Sequence, residues 1–155
     1  MLESKACARA YSPFANEAKL KWVDDESFNW KHRSTIGLFS SSLQYLENPE
    51  EALRKIAGHC DFVILMRMPL LDCAEHIITR QTFHSGLISV EGASWPHWFF
   101  SRDHLISQVS KYGDVIYQWN TPTESLLFEG KQIVLEGLLI KTKGAIRSKK
   151  NEVNT

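Results

Sequence analysis

The sequence predicts an α/β fold in which a largely parallel sheet is covered by helices. Two runs carry that expectation, Thr35-Ile36-Gly37-Leu38-Phe39 and Asp61-Phe62-Val63-Ile64-Leu65-Met66. Both are continuously apolar rather than alternating, the pattern of strands buried on both faces. A helix separates them, so strand, helix and strand follow within about 35 residues, as in a right-handed parallel βαβ unit.

The helix is written in its first residues. Asn48 can cap it, Pro49 suits the first helical position, and Glu50 and Glu51 sit at the positive end of the helix dipole. Leu53, Ile56 and Ala57 form its inward stripe, and Gly58 is expected to stop it. Upstream, Ala6, Ala10 and Phe14 keep helical spacing over 5–18, broken or kinked at Pro13. Leu20–Val23 alternates as a short strand and should turn at Asp24-Asp25. Downstream, the second buried strand should end at Arg67 and Pro69, and residues 70–100 are less regular. A further helix opens at Ser101-Arg102-Asp103-His104 and closes at Tyr112-Gly113. Asp114–Trp119 and Ile133–Lys141 read as two strands joined by a polar loop, and 144–155 as a disordered polar tail.

Composition narrows the function classes. A chain of 155 residues with 43% hydrophobic and 23% charged residues can bury one ordinary core. Eighteen Lys and Arg balance eighteen Asp and Glu. No general field therefore draws the chain to nucleic acid or to an anionic membrane. Cys7, Cys60 and Cys73 are an odd set without CxxC spacing, which argues against a disulfide framework or a zinc site. The N-terminal residues lack a signal peptide's apolar core, and no run is long enough to span a bilayer, so a soluble cytoplasmic protein is expected.

Several polar groups fall at strand ends, where open α/β sheets bind their ligands. Arg67 follows one strand, Ser40-Ser41-Ser42 another, and Asp24-Asp25 a third. Arg67 could equally leave the sheet for solvent or pair with Asp72 or Glu75. The six histidines, at 32, 59, 76, 84, 97 and 104, show no metal-ligand spacing, so no metal is expected. A GxSxG nucleophile elbow is absent around Ser40. Ser94-Trp95-Pro96-His97-Trp98-Phe99-Phe100 packs four aromatic rings and a histidine into seven residues, suited to an aromatic wall of a pocket or to rings packed on a sheet edge. The cations Lys143, Arg147, Lys149 and Lys150 read as a solvated tail.

Four blocks together, Ser42-Leu43-Gln44-Tyr45-Leu46-Glu47-Asn48-Pro49, Arg67-Met68-Pro69, Thr79-Arg80-Gln81 and Ser94–Phe100, resemble a group of bacterial class I S-adenosylmethionine-dependent methyltransferases. Several of that group are associated with surface-polysaccharide gene clusters. The group's patterns read S-x-x-L-Q-Y-L-x-x-P, D-R-T-P, L-T-V-Q and S-Y-P-x-W-F-F. Here Met66 stands where the pattern has its acid, and Trp95 replaces its tyrosine. The likeness runs from Glu3 to Lys143 and implies a Rossmann-like sheet of order 3-2-1-4-5-7-6 with the seventh strand antiparallel. Leu20–Val23, Thr35–Phe39, Asp61–Met66, Asp114–Trp119 and Ile133–Lys141 would be strands three to seven.

The resemblance also implies a cofactor, S-adenosylmethionine, and roles for individual residues. Glu3 would match the acid that binds the ribose hydroxyls, Asp24 would lie near the adenine, and Ser41, Gln44 and Tyr45 would line the cofactor side. Arg67, Gln81, Trp95 and Trp98 would face a small-molecule or saccharide acceptor. His97 would be the catalytic base, working beside Arg67. The family's first strand and glycine-rich loop have no counterpart. Residues 1–143 would thus represent the C-terminal two thirds of such a domain, with a sheet edge left open to self-association. The alternative is a non-catalytic remnant that serves as an interaction domain, or that needs a partner to supply the missing strand.

Overall fold

The computed structural model describes residues 2–3, 23–24, 34–82 and 94–143. The helix expected over 5–18, the start of the strand at Leu20, Asp25 and the tail 144–155 lie outside them. The chain divides into two units, Met1–His32 and Arg33–Thr155. In the first, β1 (Leu2–Glu3) and β2 (Val23–Asp24) pair in parallel, with Glu3 opposite Asp24. The strand expected to turn at Asp24 therefore includes it.

The second unit runs β3 (Ser34–Ser40), a 3-10 turn (Leu43–Tyr45), α1 (Pro49–His59), β4 (Cys60–Met68), β5 (Leu70–Leu71), β6 (Ile77–Thr82), β7 (Ser94–Ser101), α2 (Arg102–Tyr112), β8 (Gly113–Phe128) and β9 (Lys131–Thr142). Its main sheet has the order β3-β4-β9-β8. β3 and β4 are parallel, and β9 is antiparallel to both β4 and β8. This is the α/β class read from the sequence, and the 4-5-7-6 part of the expected order with its antiparallel strand in place.

α1 forms as its first turn dictates. The Asn48 side chain accepts a hydrogen bond from the Glu51 backbone N–H at 3.1 Å, and Pro49 occupies the first turn. Gly58 does not stop the helix, which continues through His59. A glycine carries only a modest penalty inside a helix, and the chain passes directly into β4 at Cys60. α2 is capped by the Ser101 side chain and ends at Gly113, close to expectation. Leu53 and Ala57 of α1 and Leu105 and Val109 of α2 pack on Phe39, Val63, Leu65, Leu138 and Ile140 of the sheet, so among the described residues the core is one-sided.

That one-sidedness corrects the expectation of strands buried on both faces. Gly37 and Phe39 face the helices, but Ile36 and Leu38 are 55% and 58% exposed on the opposite face. Continuous apolar sequence identifies a strand and cannot say which of its faces is covered. β4 also runs two residues further than expected. It passes through Arg67, where the register with β9 shifts between Leu65 and Met68 and the backbone takes φ +59°. The polar loop expected between 119 and 133 is instead strand. β8 and β9 extend into a long hairpin closed by Glu129-Gly130, with φ +48° and +75°, the conformation of a two-residue type I′ turn. Residues 70–100, read as irregular, contain a second sheet of order β5-β7-β6.

Candidate functional site

The carboxyl ends of the parallel strands β3 and β4 are both turned by non-glycine residues in the left-handed region, Ser41 at φ +50° and Arg67 at φ +59°. Each such residue carries strain on the order of 1–3 kcal/mol, which persists only where its surroundings hold it. Two hydrogen bonds tie these turns together. Ser41 N–H donates to the Met66 carbonyl at 3.1 Å, and Gln44 Nε2 donates to the Arg67 carbonyl at 3.4 Å. Gln44 is 2% exposed, and among the described residues its Oε1 is the buried side-chain oxygen without a partner. An unmet acceptor of this kind costs about 1–3 kcal/mol, so Oε1 is open to a donor from a buried water or a ligand.

The aromatic block is β7, and strand geometry sorts its rings by period two. Trp95, His97 and Phe99 share one face with the 3-10 turn. Tyr45 meets the Trp95 ring edge-on at 6.5 Å and the His97 ring at 5.1 Å, and His97 meets Phe99 at 4.9 Å. Gln81 joins this face through the neighbouring strand, accepting from Trp95 Nε1 at 3.1 Å. Trp98 is turned the other way. Its Nε1 donates to the Leu46 carbonyl at 2.9 Å and its ring stacks on Phe100, so it braces β7 against the turn rather than joining Trp95 and His97.

Burial sets the chemistry of the two titratable groups on the wall. His97 is 3% exposed, and desolvation pushes its imidazole below the ordinary histidine value, leaving it neutral near pH 7 and a weaker base than a solvated histidine. The same effect pushes the Tyr45 phenol up, so it stays protonated and able to donate. Arg67 projects from its bulge to Glu124 of β8, with Nε and Nη2 each 2.5 Å from a carboxylate oxygen. The partners weighed from the sequence, Asp72 and Glu75, are not the ones it takes. Asp72 instead pairs with Arg102 at 2.9 Å.

Ser41, Gln44, Tyr45, Arg67, Gln81, Trp95 and His97 thus belong to connected strand ends. Glu3 and Asp24 lie in the first unit, opposite each other across β1 and β2. Glu124 was not anticipated, because it sits in a stretch read as polar loop. The alternating Leu126 and Phe128 just after it were the available sign of a strand, and the Phe128 ring lies tilted against Phe99 at 4.3 Å. No group of three or more His, Cys, Asp or Glu suited to a metal occurs among the described residues. No described helix is long and apolar enough to cross a membrane.

No family model and no curated protein matches the sequence. Solved structures do match the fold. The N-terminal domain of EvdMO1, crystallised in the presence of S-adenosylhomocysteine and D-fucose, superposes with a TM-score of 0.55 at 12% identity, covering 92% of this chain and 65% of that one. The same domain with S-adenosylhomocysteine bound gives 0.55 and 12%, covering 92% and 63%. A SAM-dependent methyltransferase from Methanosarcina mazei gives 0.54 at 10% identity, covering 90% and 79%. The chain therefore spans just under two thirds of the EvdMO1 chains it matches, and it has the Rossmann-like α/β fold of S-adenosylmethionine-dependent methyltransferases.

Proposed function

We propose that the protein binds S-adenosylmethionine at the ends of β3 and β4 and serves methyl transfer to a small-molecule or saccharide hydroxyl. The observation that carries this reading is the likeness to a methyltransferase-fold domain with S-adenosylhomocysteine bound. The residues present fit such a cofactor, because the buried Gln44 Oε1 asks for an N–H or O–H donor and the cofactor offers both. When bound, the cofactor supplies a methyl group activated on a sulfonium.

The rest falls to the chain. Ser41, Gln44 and Tyr45 line the cofactor side, and Gln81, Trp95 and Arg67 hold the acceptor. His97, kept neutral by burial, is the group that would take the acceptor's hydroxyl proton on a ring nitrogen. Glu124 keeps Arg67 fixed in direction.

The test is a calorimetric titration of S-adenosylhomocysteine into the purified chain. Binding near micromolar strength, about −8 kcal/mol, is expected. A folded chain that gives no heat overturns the reading and favours a non-catalytic α/β domain.

A further inference from the structure

Ser101 stands where β7 passes into α2, and it is wholly buried. Its Oγ caps α2 by accepting from the His104 N–H at 3.4 Å, and it donates to the Cys73 carbonyl at 2.6 Å. Its backbone N–H donates to His76 Nδ1 at 3.0 Å. The last two bonds run to one turn, residues 72–76, which leads from β5 to β6. A backbone N–H can only donate, so Nδ1 of His76 offers a lone pair and the ring proton sits on Nε2.

The groups around this imidazole come from four elements. From β7 the rings of Trp98 and Phe100 meet it edge-on at 6.2 and 5.3 Å. From α2 the His104 ring stacks on it at 4.5 Å with the planes 15° apart, and Gln108 hydrogen-bonds to it. From α1 the Glu50 carboxylate acts on it, but that carboxylate also pairs with Lys111 at 3.7 Å. In its own turn Asp72 is bound to Arg102 at 2.9 Å, and the Cys73 thiol donates to the Glu75 carbonyl at 3.1 Å. A proton added to His76 must go to Nδ1, because Nε2 already holds one. It then points at the Ser101 N–H, donor against donor, and sets a cation face to face with a second histidine.

From this geometry we infer that His76 is a pH-operated catch: neutral, it fastens the 72–76 turn to the junction of β7 and α2, and protonated, it lets the turn go. The release reaches further than the turn. Trp98, which rests on the His76 ring, also donates to the Leu46 carbonyl at 2.9 Å, and the opposite face of the same strand carries Trp95 and His97. Acid therefore loosens the outer support of the aromatic wall while the main sheet stays whole.

Amide NMR spectra of the isotope-labelled chain, recorded between about pH 7.5 and pH 5, read the catch directly. The Ser101 amide proton should lose its hydrogen-bonded downfield position, and the amides of residues 73–76 should shift with it, at the midpoint shown by the His76 ring itself. Amides of β4 and β9 should hold still over the same range. In His76→Asn, which keeps an acceptor for Ser101 but takes up no proton, the Ser101 amide should not move. His104→Asn, which removes the facing charge, should carry the midpoint upward. A Ser101 amide that stays in place down to pH 5, whether or not His76 has taken up a proton, overturns the inference, as does the same titration surviving in His76→Asn. Movement of the β4 and β9 amides together with Ser101 is unfolding of the whole domain rather than a catch, and it overturns the inference on the unaltered chain alone.

Discussion

Gln44 hands one of its amide protons to the carbonyl of Arg67 across 3.4 Å, joining the turn after β3 to the bulge in β4. The other end of the same amide, Oε1, is buried without a partner. Gln44→Met removes the bond and the unmet acceptor together, so stability in urea should stay the same or rise by up to about 1 kcal/mol. Affinity for S-adenosylhomocysteine should fall at least tenfold, because a donor on the ligand loses its acceptor. Equal affinity for parent and variant removes Gln44 from the site without touching the fold.

Arg102 and Glu136 form the most heavily invested ion pair. The guanidinium reaches both carboxylate oxygens, at 2.6 and 2.5 Å, while Gln118 donates to the same carboxylate at 2.7 Å and Asp72 accepts from Arg102 Nε. Burial of Glu136 opposes its charge, but these hydrogen bonds hold its carboxyl below the usual range, and the same carboxylates hold the Arg102 guanidinium well above its ordinary value. Arg102→Ala strands a buried carboxylate and should cost about 3 kcal/mol in chemical denaturation. Arg102→Met combined with Glu136→Leu should recover most of that loss.

His76 accepts from the Ser101 N–H at 3.0 Å through Nδ1, and its ring stacks on His104 at 4.5 Å. Desolvation first and the charge of His104 second lower its pKa, against smaller opposing effects of Gln108 and Glu50. A histidine whose folded pKa is lowered contributes nothing above the unfolded value, near 6.5. Below it, the unfolded chain takes up the proton first and stability falls. His97 acts in the same direction. The melting temperature should therefore drop between pH 7 and pH 5, and His76→Asn, which retains an acceptor for Ser101 without the charge, should flatten that slope. The Glu136 carboxylate, with its depressed pKa, adds a separate loss below about pH 4.5.

Gly137 lies under the indole of Trp119, and a Cβ there would fall on the ring. Gly137→Val should destabilise the β8–β9 pairing by about 2 kcal/mol, in the range of overpacked cores. Trp119→Leu in the same chain should return part of it, which thermal denaturation of the three variants would show.

What was legible in the sequence follows from what is local. Asn48, Pro49 and Glu51 specify α1 within one turn, and Ser101 does the same for α2, so both starts could be read residue by residue. The apolar runs of β3 and β4 announced parallel strands. They could not announce that Ile36 and Leu38 stay uncovered, since that depends on what the rest of the chain places over them. The site was half visible. Trp95, His97 and Gln81 were named, but Trp98 was grouped with them because composition does not show which face a ring takes until the strand register is known. Glu124 was missed because its partner Arg67 lies 57 residues away, and no local pattern encodes such a pair.

The place of β9 has a consequence for how the chain comes off the ribosome. β9 is the last of the described strands, yet it lies in the interior of the main sheet, between β4 and β8. β8 and β9 are joined by two residues and can zip together in about 1–10 μs once both exist. β4, made some 70 residues earlier, meets no sheet partner on its β9 side until Lys131–Thr142 has emerged. At about 5–20 residues per second of synthesis, that side of β4 waits several seconds, with Phe62, Ile64 and Met66 beside an unfilled ladder. This interval is when a nascent chain of this design is most in need of a chaperone.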